Sequence, residues 1–304
     1  MVYRVPFSGP SPVPSKIVDR ATPLLKDRIR ALFRQLPKAL TGDEESIHQM
    51  RVAGRRLRVA LPLLARKPHG RRVRRARRIL RQLTRAGGTS RDMDVSLSLF
   101  EERLKEIGPL TPEKRLLRER LRAGRRRSHA RMTDALMDLD IARLRRDLRA
   151  VLARRAELVF TVLLRLRDAR DSRGAQILES LEVLGEGFDL PSLHQLRRRL
   201  RRLRYAAEQA EKLTGQANDA PALFRQLQDA LGLVRDAFVI AAWMGRQAAA
   251  AAEQGRVELA AEARAQEQFF LERSHEHHRA FLALSPAMTV RRGLEAMGAS
   301  RSAA

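Results

Sequence analysis

The sequence predicts an all-α protein assembled from two related halves. Three observations predict it. Apolar residues recur at helical spacing from Leu24 to Leu284, and no stretch alternates as a strand would. The motif Ser46-Ile-His-Gln-Met-Arg-Val-Ala-Gly-Arg-Arg-Leu-Arg58 returns as Ser192-Leu-His-Gln-Leu-Arg-Arg-Arg-Leu-Arg-Arg-Leu-Arg204, with an Asp five residues before each His. In both copies a row of His and Arg runs beside the apolar stripe, one residue out of phase with it.

Taken in order, residues 1–15 (with Pro6, Pro10, Pro12 and Pro14) form a Pro-rich lead-in. Leu24, Leu25, Ile29, Leu32, Phe33 and Leu36 give a first amphipathic helix that should end before Pro37. The second helix spans about Asp43 to Arg66. Either Asp43 or Ser46 can cap it, and Pro62 should kink or shorten its last turns. After the His69-Gly70 turn a third helix runs to Arg85, with Arg74, Arg78, Arg81 and Arg85 in a basic row. Gly87-Gly88 reads as a break, and Arg91-Asp92 as the start of a fourth helix whose Asp serves the N-terminal dipole. Helices then fill 113–137, 140–156 and 157–185, and Gly185 and Gly187 separate the halves.

The second half replays the first. Its basic helix runs from Asp189 to Leu213, closed by Thr214-Gly215. Arg235-Asp236 matches Arg91-Asp92 at an offset of 144 residues, and the two motifs lie 146 apart. Two features agreeing in order and spacing indicate an internal duplication. A long helix from Val257 to Leu284 precedes a frayed tail.

On the motif helices the phase decides what faces where. Ile47, Met50, Gly54, Leu57, Leu61 and Leu64 form one buried stripe; Leu193, Leu196, Leu200, Leu203, Ala207 and Ala210 form the other. His48, Arg51, Arg55 and Arg58, like His194, Arg197, Arg201 and Arg204, are displaced from those stripes by about 100°. Cationic rows so near the core should line a groove between packed elements. Arg56, Arg198, Arg199 and Arg202 point elsewhere on the wheel and read as solvated.

Composition bounds the partner. Sixty-one Lys and Arg against 35 Asp and Glu give a net charge of +26 over 304 residues. Such self-repulsion usually accompanies a polyanionic partner. Arginine supplies nearly all of it, either for bidentate grip on phosphate or from a GC-rich genome. No cysteine is present, no signal-like segment opens the chain, and no apolar run approaches the ~18 residues of a membrane span. A cytoplasmic location is the expectation.

His-Gln-Met-Arg-x-x-x-Arg-Arg-Leu-Arg, the Gly-x-x-Arg-Asp element and the second copy ending Arg-Leu-Arg-Tyr205 resemble the CHAD family, the conserved-histidine α-helical domain, over roughly residues 17–285. The resemblance implies two pseudo-symmetric four-helix bundles flanking a central basic crevice. The expected division is a tail over 1–15, halves over 16–186 and 187–285, and a tail over 286–304. The family binds inorganic polyphosphate and is found on polyphosphate granules. Carried over by motif position, His48, Arg51, Arg55 and Arg58 would line the crevice from one half, and His194, Arg197, Arg201 and Arg204 from the other. Arg91 and Arg235 are further candidates, and Arg74, Arg78 and Arg81 would extend the basic wall. Gly54 departs from the usual aliphatic residue, and Arg201 from a frequent Lys. The triphosphate-processing domain often fused to this family is absent, since no Glu-x-Glu-x-Lys signature occurs.

The chemistry favours a non-enzymatic polyphosphate binder. A linear polyanion without bases is matched by cationic side chains one helical turn, about 5.4 Å, apart. The two His either donate to the ligand, more strongly below about pH 6.5, or simply pack. Sequence-independent nucleic-acid binding is the rival, though aromatics total only 4% and supply few stacking platforms. His-dependent phosphate transfer and metal binding rank below it. No Walker A loop or Gly-x-Ser-x-Gly elbow occurs, and His275-Glu276-His277-His278 does not place its rings on one face. No cofactor and no bound metal are expected, and the oligomeric state is left open.

Overall fold

The computed structural model describes residues 20–153 and 159–299; the Pro-rich lead-in lies outside the described residues. Ten helices and no strand occur among them: α1 Ala21–Leu40, α2 Glu44–Leu64, α3 Arg71–Glu106, α4 Pro112–Met137, α5 Ile141–Leu152, α6 Val159–Leu184, α7 Leu190–Thr214, α8 Ala220–Glu253, α9 Val257–Ala283 and α10 Pro286–Ala299. The protein is all-α.

The two motif helices start by the same device. Asp43 accepts from the Ser46 backbone N–H at 2.8 Å and Asp189 from that of Ser192 at 3.0 Å, so the aspartates, not the serines, are the N-caps. Pro37, expected to end the first helix, sits within its final turn instead, while α2 stops at Leu64, short of the expected Arg66 and just past Pro62. Each lacks the N–H that would bond the carbonyl four residues back, and each helix ends within three residues of its proline. Gly215 closes α7 with φ 75°, a left-handed cap whose N–H reaches Glu211.

Three expectations are corrected. Gly87-Gly88 does not break the chain: α3 runs unbroken for 36 residues, so Arg91-Asp92 is mid-helix and not at a helix start. Arg235-Asp236 likewise falls inside the 34-residue α8. The stretch from 286 is not a frayed tail but α10, with Val290 fully buried. The helix lengths run 20, 21, 36, 26 and 12 residues over α1–α5, and 26, 25, 34, 27 and 14 over α6–α10.

The buried apolar residues gather in three clusters. The first joins α1, α2, the N-terminal part of α3, α5, the end of α4, the first half of α6 (Val162, Leu166, Ala169) and Tyr205, Ala206 and Leu213 of α7 around Leu32, Ile47, Leu57 and Leu80. A second joins α7, the N-terminal part of α8, α10 and the end of α6 around Leu196, Leu200 and Phe224. Ile177 of α6 belongs to this second cluster, although the expected boundary at 187 would put it in the first half. The third is shared: Leu97 and Phe100 of α3 meet Leu117 and Leu121 of α4, Ile240 and Met244 of α8 and Phe270 of α9. α3 and α8 therefore each leave one core and enter a common one. α2 also packs on α7, and the space between these two crossings is the site.

Beneath it a buried carboxylate ties three helices together. Glu208 of α7 receives a bidentate pair from Arg56 of α2 at 2.9 and 3.1 Å, with Arg204 at 3.6 Å and Arg28 of α1 at 3.8 Å. Arg56 thus serves packing and does not face the groove.

Candidate functional site

A crevice of about 750 Å³ lies between α2, α3, α7 and α8. Twelve arginines and both motif histidines line it against three aspartates, Asp92, Asp229 and Asp236. The α2 and α7 rows face one another across it. Arg55 of α2 is close enough to Arg197 and Arg201 of α7 to disfavour their charge, and Arg198 and Arg202 of α7 act in the same way on Arg58. Burial is the larger cause in each case. Arg201 is pushed down to about 9, and Arg51 and Arg58 to about 10. All remain cationic at neutral pH, so the crevice concentrates positive charge.

Small residues make room for the rows. A Cβ on Gly87 would meet Arg51 Cδ at 3.0 Å, and one on Gly232 would meet Arg197 Nη2 at 3.3 Å. Arg51 and Arg197 therefore lie flat across α3 at Gly87 and across α8 at Gly232. A Cβ on Gly54 would approach Thr84 Cγ2 to 2.9 Å, so the departure there brings α2 and α3 closer. Arg51 then donates to the Thr84 carbonyl at 2.9 Å and Arg58 to its Oγ1 at 3.3 Å.

The arginines differ in what already holds them. Arg235 donates to Asp92 at 2.6 Å and to Asp236 at 3.2 Å, joining α8 to α3. Asp92 and Asp236 are therefore ion-pair partners, not helix-dipole residues. Arg204 is 7% exposed and paired with Glu208, so its place in the wall is structural. Nε of Arg55 and of Arg197 is buried without a partner in the described structure. Such donors are costly unless an anion completes them.

Burial, together with neighbouring Arg91, Arg55 and Arg51, holds His48 below the usual histidine range. Burial and Arg235, Arg198, Arg197 and Arg201 do the same for His194. The expected protonation below about pH 6.5 is thus displaced to lower pH in the empty protein.

Beyond Arg58 and Arg202 the groove continues into a second cavity of about 340 Å³, whose further cations are Arg77, Arg173 and Arg199. Arg173 is pushed down to about 10, first by burial and then by Arg202 and Arg77.

The CHAD domain family matches residues 23–245. The chain belongs to the CHAD domain family. No match was found among curated protein sequences. PptA from Streptomyces chartreusis shares the fold at TM-score 0.65 and 17% identity, with 88% of this chain and 99% of that one covered. The CHAD domain from the plant Ricinus communis aligns at TM-score 0.59 and 22% identity, over 92% of each chain.

In this CHAD chain the structure brings together His48, Arg51, Arg55, Arg58, Arg81, Arg91, His194, Arg197, Arg201, Arg204 and Arg235. Arg74 and Arg78 are not among the residues lining either cavity; Arg74 donates to the His69 carbonyl at 2.8 Å. Arg198 and Arg202 line the crevice although their phase suggested otherwise, as does Arg85 from the α3 basic row. A long guanidinium arm spans the angular gap that a wheel assigns to Cβ. Arg199, whose phase also suggested a solvated position, lines the second cavity and donates to the Gln176 carbonyl at 2.9 Å, and Arg173 stands in no motif and carries no sequence signal.

His275 and His278 of α9 flank Phe188 at 3.9 and 5.3 Å between ring centroids. His278 is 4% exposed and packs on Phe281. Among the described residues no group of three His, Cys, Asp or Glu side chains is placed to hold a metal ion. No described helix is long and apolar enough to cross a membrane.

Proposed function

We propose that the crevice binds linear inorganic polyphosphate without turning it over, and that this binding places the protein at polyphosphate granules. The observation that carries the reading is the opposition of the two arginine rows, with the Arg55 and Arg197 Nε donors unpartnered between them. A chain of phosphates offers acceptors on all sides, so cations from two walls can engage it at once. The matched order of helix lengths supports two duplicated halves as the source of the paired walls.

Nucleic acid is the less favoured partner. Tyr205, the ring residue other than His among the crevice lining, is 1% exposed and offers no face for stacking. Phosphoryl transfer through His48 or His194 is disfavoured because, among the described residues, no carboxylate is hydrogen-bonded to either ring to orient it. The only histidine–carboxylate contact among the described residues joins His129 to Asp94.

Changing Arg51, Arg55, Arg197 and Arg201 together to Glu tests the reading. Helical content by circular dichroism should persist while binding of long-chain polyphosphate is lost; retained affinity would refute the crevice as the site. Duplex DNA should be displaced by polyphosphate at equal phosphate concentration. The chain length of bound polyphosphate, followed over hours with Mg²⁺, should not change.

A further inference from the structure

We infer that the crevice is one-ended: its carboxylate-bearing end takes the terminal phosphate of a polyphosphate chain, and its all-cationic end lets the remainder leave. This rests on the polyphosphate reading and adds to it a direction and a specificity.

The residues sort along the groove. Both rows begin at the same end, with His48 and Arg51 on α2 and His194 and Arg197 on α7, and there the wall also carries Asp92, Asp229 and Asp236. Past Arg55, Arg58, Arg201 and Arg202 the groove opens into the second cavity, whose lining includes five further residues beside arginines and no carboxylate. All the acidic groups of the site thus stand at one end.

Carboxylates weaken a receptor built only for interior phosphates. An interior phosphate carries a single negative charge and, at neutral pH, no proton, so it cannot donate to an aspartate. A terminal phosphate differs, because its second proton comes off only near pH 6. It can keep one O–H to donate to a carboxylate while its other oxygens accept from arginine. Asp92 and Asp236 are placed for that role beside Arg235, at 2.6 and 3.2 Å from its guanidinium. Burial raises Asp236 above the usual carboxylate range, which suits it to share a proton. The arginines further along meet only the interior units, which need no acceptor.

The test compares linear polyphosphate of one length with free ends and with both ends esterified, which removes the terminal O–H. Esterification should weaken binding on the order of tenfold, the effect of one hydrogen bond to a charged group. In the Asp92→Asn/Asp236→Asn variant the two ligands should bind alike. Equal affinity of the unaltered protein for both ligands would overturn the inference. So would discrimination that survives in the variant, since that would come from the bulk of the ester. A measurement on the unaltered protein stands apart from the variant's folding: saturation at two proteins per chain whatever its length supports end capture, and a ratio that grows with length contradicts it. Failure to bind either ligand would instead overturn the polyphosphate reading itself.

Discussion

At Arg201 the proposed binding role and stability pull in opposite directions. Burial and the charges of Arg55, Arg197 and Arg198 push it down to about 9, so its charge costs the empty fold. Arg201→Gln should therefore stabilise the unliganded protein by about 1 kcal/mol, once solvent screening is allowed for, while weakening polyphosphate binding. Thermal melting and titration of one variant check both; a lower melting temperature would contradict this view of the site. His48 and His194 give a pH signature. Both are held below their ordinary value, so below about pH 6.5 the unfolded chain binds more protons than the folded one. Their contribution to stability is present above that pH and falls away as pH drops toward their depressed folded values. His48→Asn/His194→Asn should flatten this slope in the melting temperature, and a bound polyanion should offset it by favouring the imidazolium. At this scale the sequence was informative because a one-residue phase shift from the apolar stripe locates Arg51, Arg55, Arg197 and Arg201. Arg198 and Arg202 escaped it because an arginine reaches well beyond the angle of its Cβ. Arg74 and Arg78 were misplaced because nothing in the α3 row marks where the crevice ends.

Among the elements, α3 and α8 decide the architecture. Each leaves its own cluster and meets the other in a shared one, and the Asp92–Arg235 pair joins them at 2.6 Å on the way. Glycines at the crossings hold arginines, not turns. Gly232→Leu should leave α8 helical, since replacing a mid-helix glycine removes a propensity cost of about 1 kcal/mol. Its side chain would push Arg197 from its bed, 3.3 Å from a first added carbon, and polyphosphate affinity should fall several-fold with helicity unchanged. Loss of helicity would show that Gly232 is needed by the backbone. Most helices were legible because periodicity is a local signal, whereas the choice between Asp43 and Ser46 as the cap of α2 was left to the geometry. The Gly87-Gly88 continuity and α10 were not legible. Whether a glycine ends a helix or admits a neighbour depends on what packs against it, and the burial of Val290 depends on cluster partners distant in sequence.

For the whole molecule the governing quantity is the charge of +26. Added salt should raise the melting temperature of the empty protein by screening self-repulsion, yet should weaken polyphosphate binding, with log affinity falling linearly in log salt as counterion release requires. A salt-independent affinity would deny the electrostatic basis of the site. Composition is compatible with a polyanionic partner, but only the packing of α2 on α7 shows that the rows share one slot. That sharing is what a structure of the protein with a short linear polyphosphate tests most directly. The phosphates should lie within hydrogen-bonding distance of Arg55 on one wall and of Arg197 and Arg201 on the other. Phosphates held instead on the outer surface, for example at Arg74 and Arg78, with neither row in contact, would contradict it.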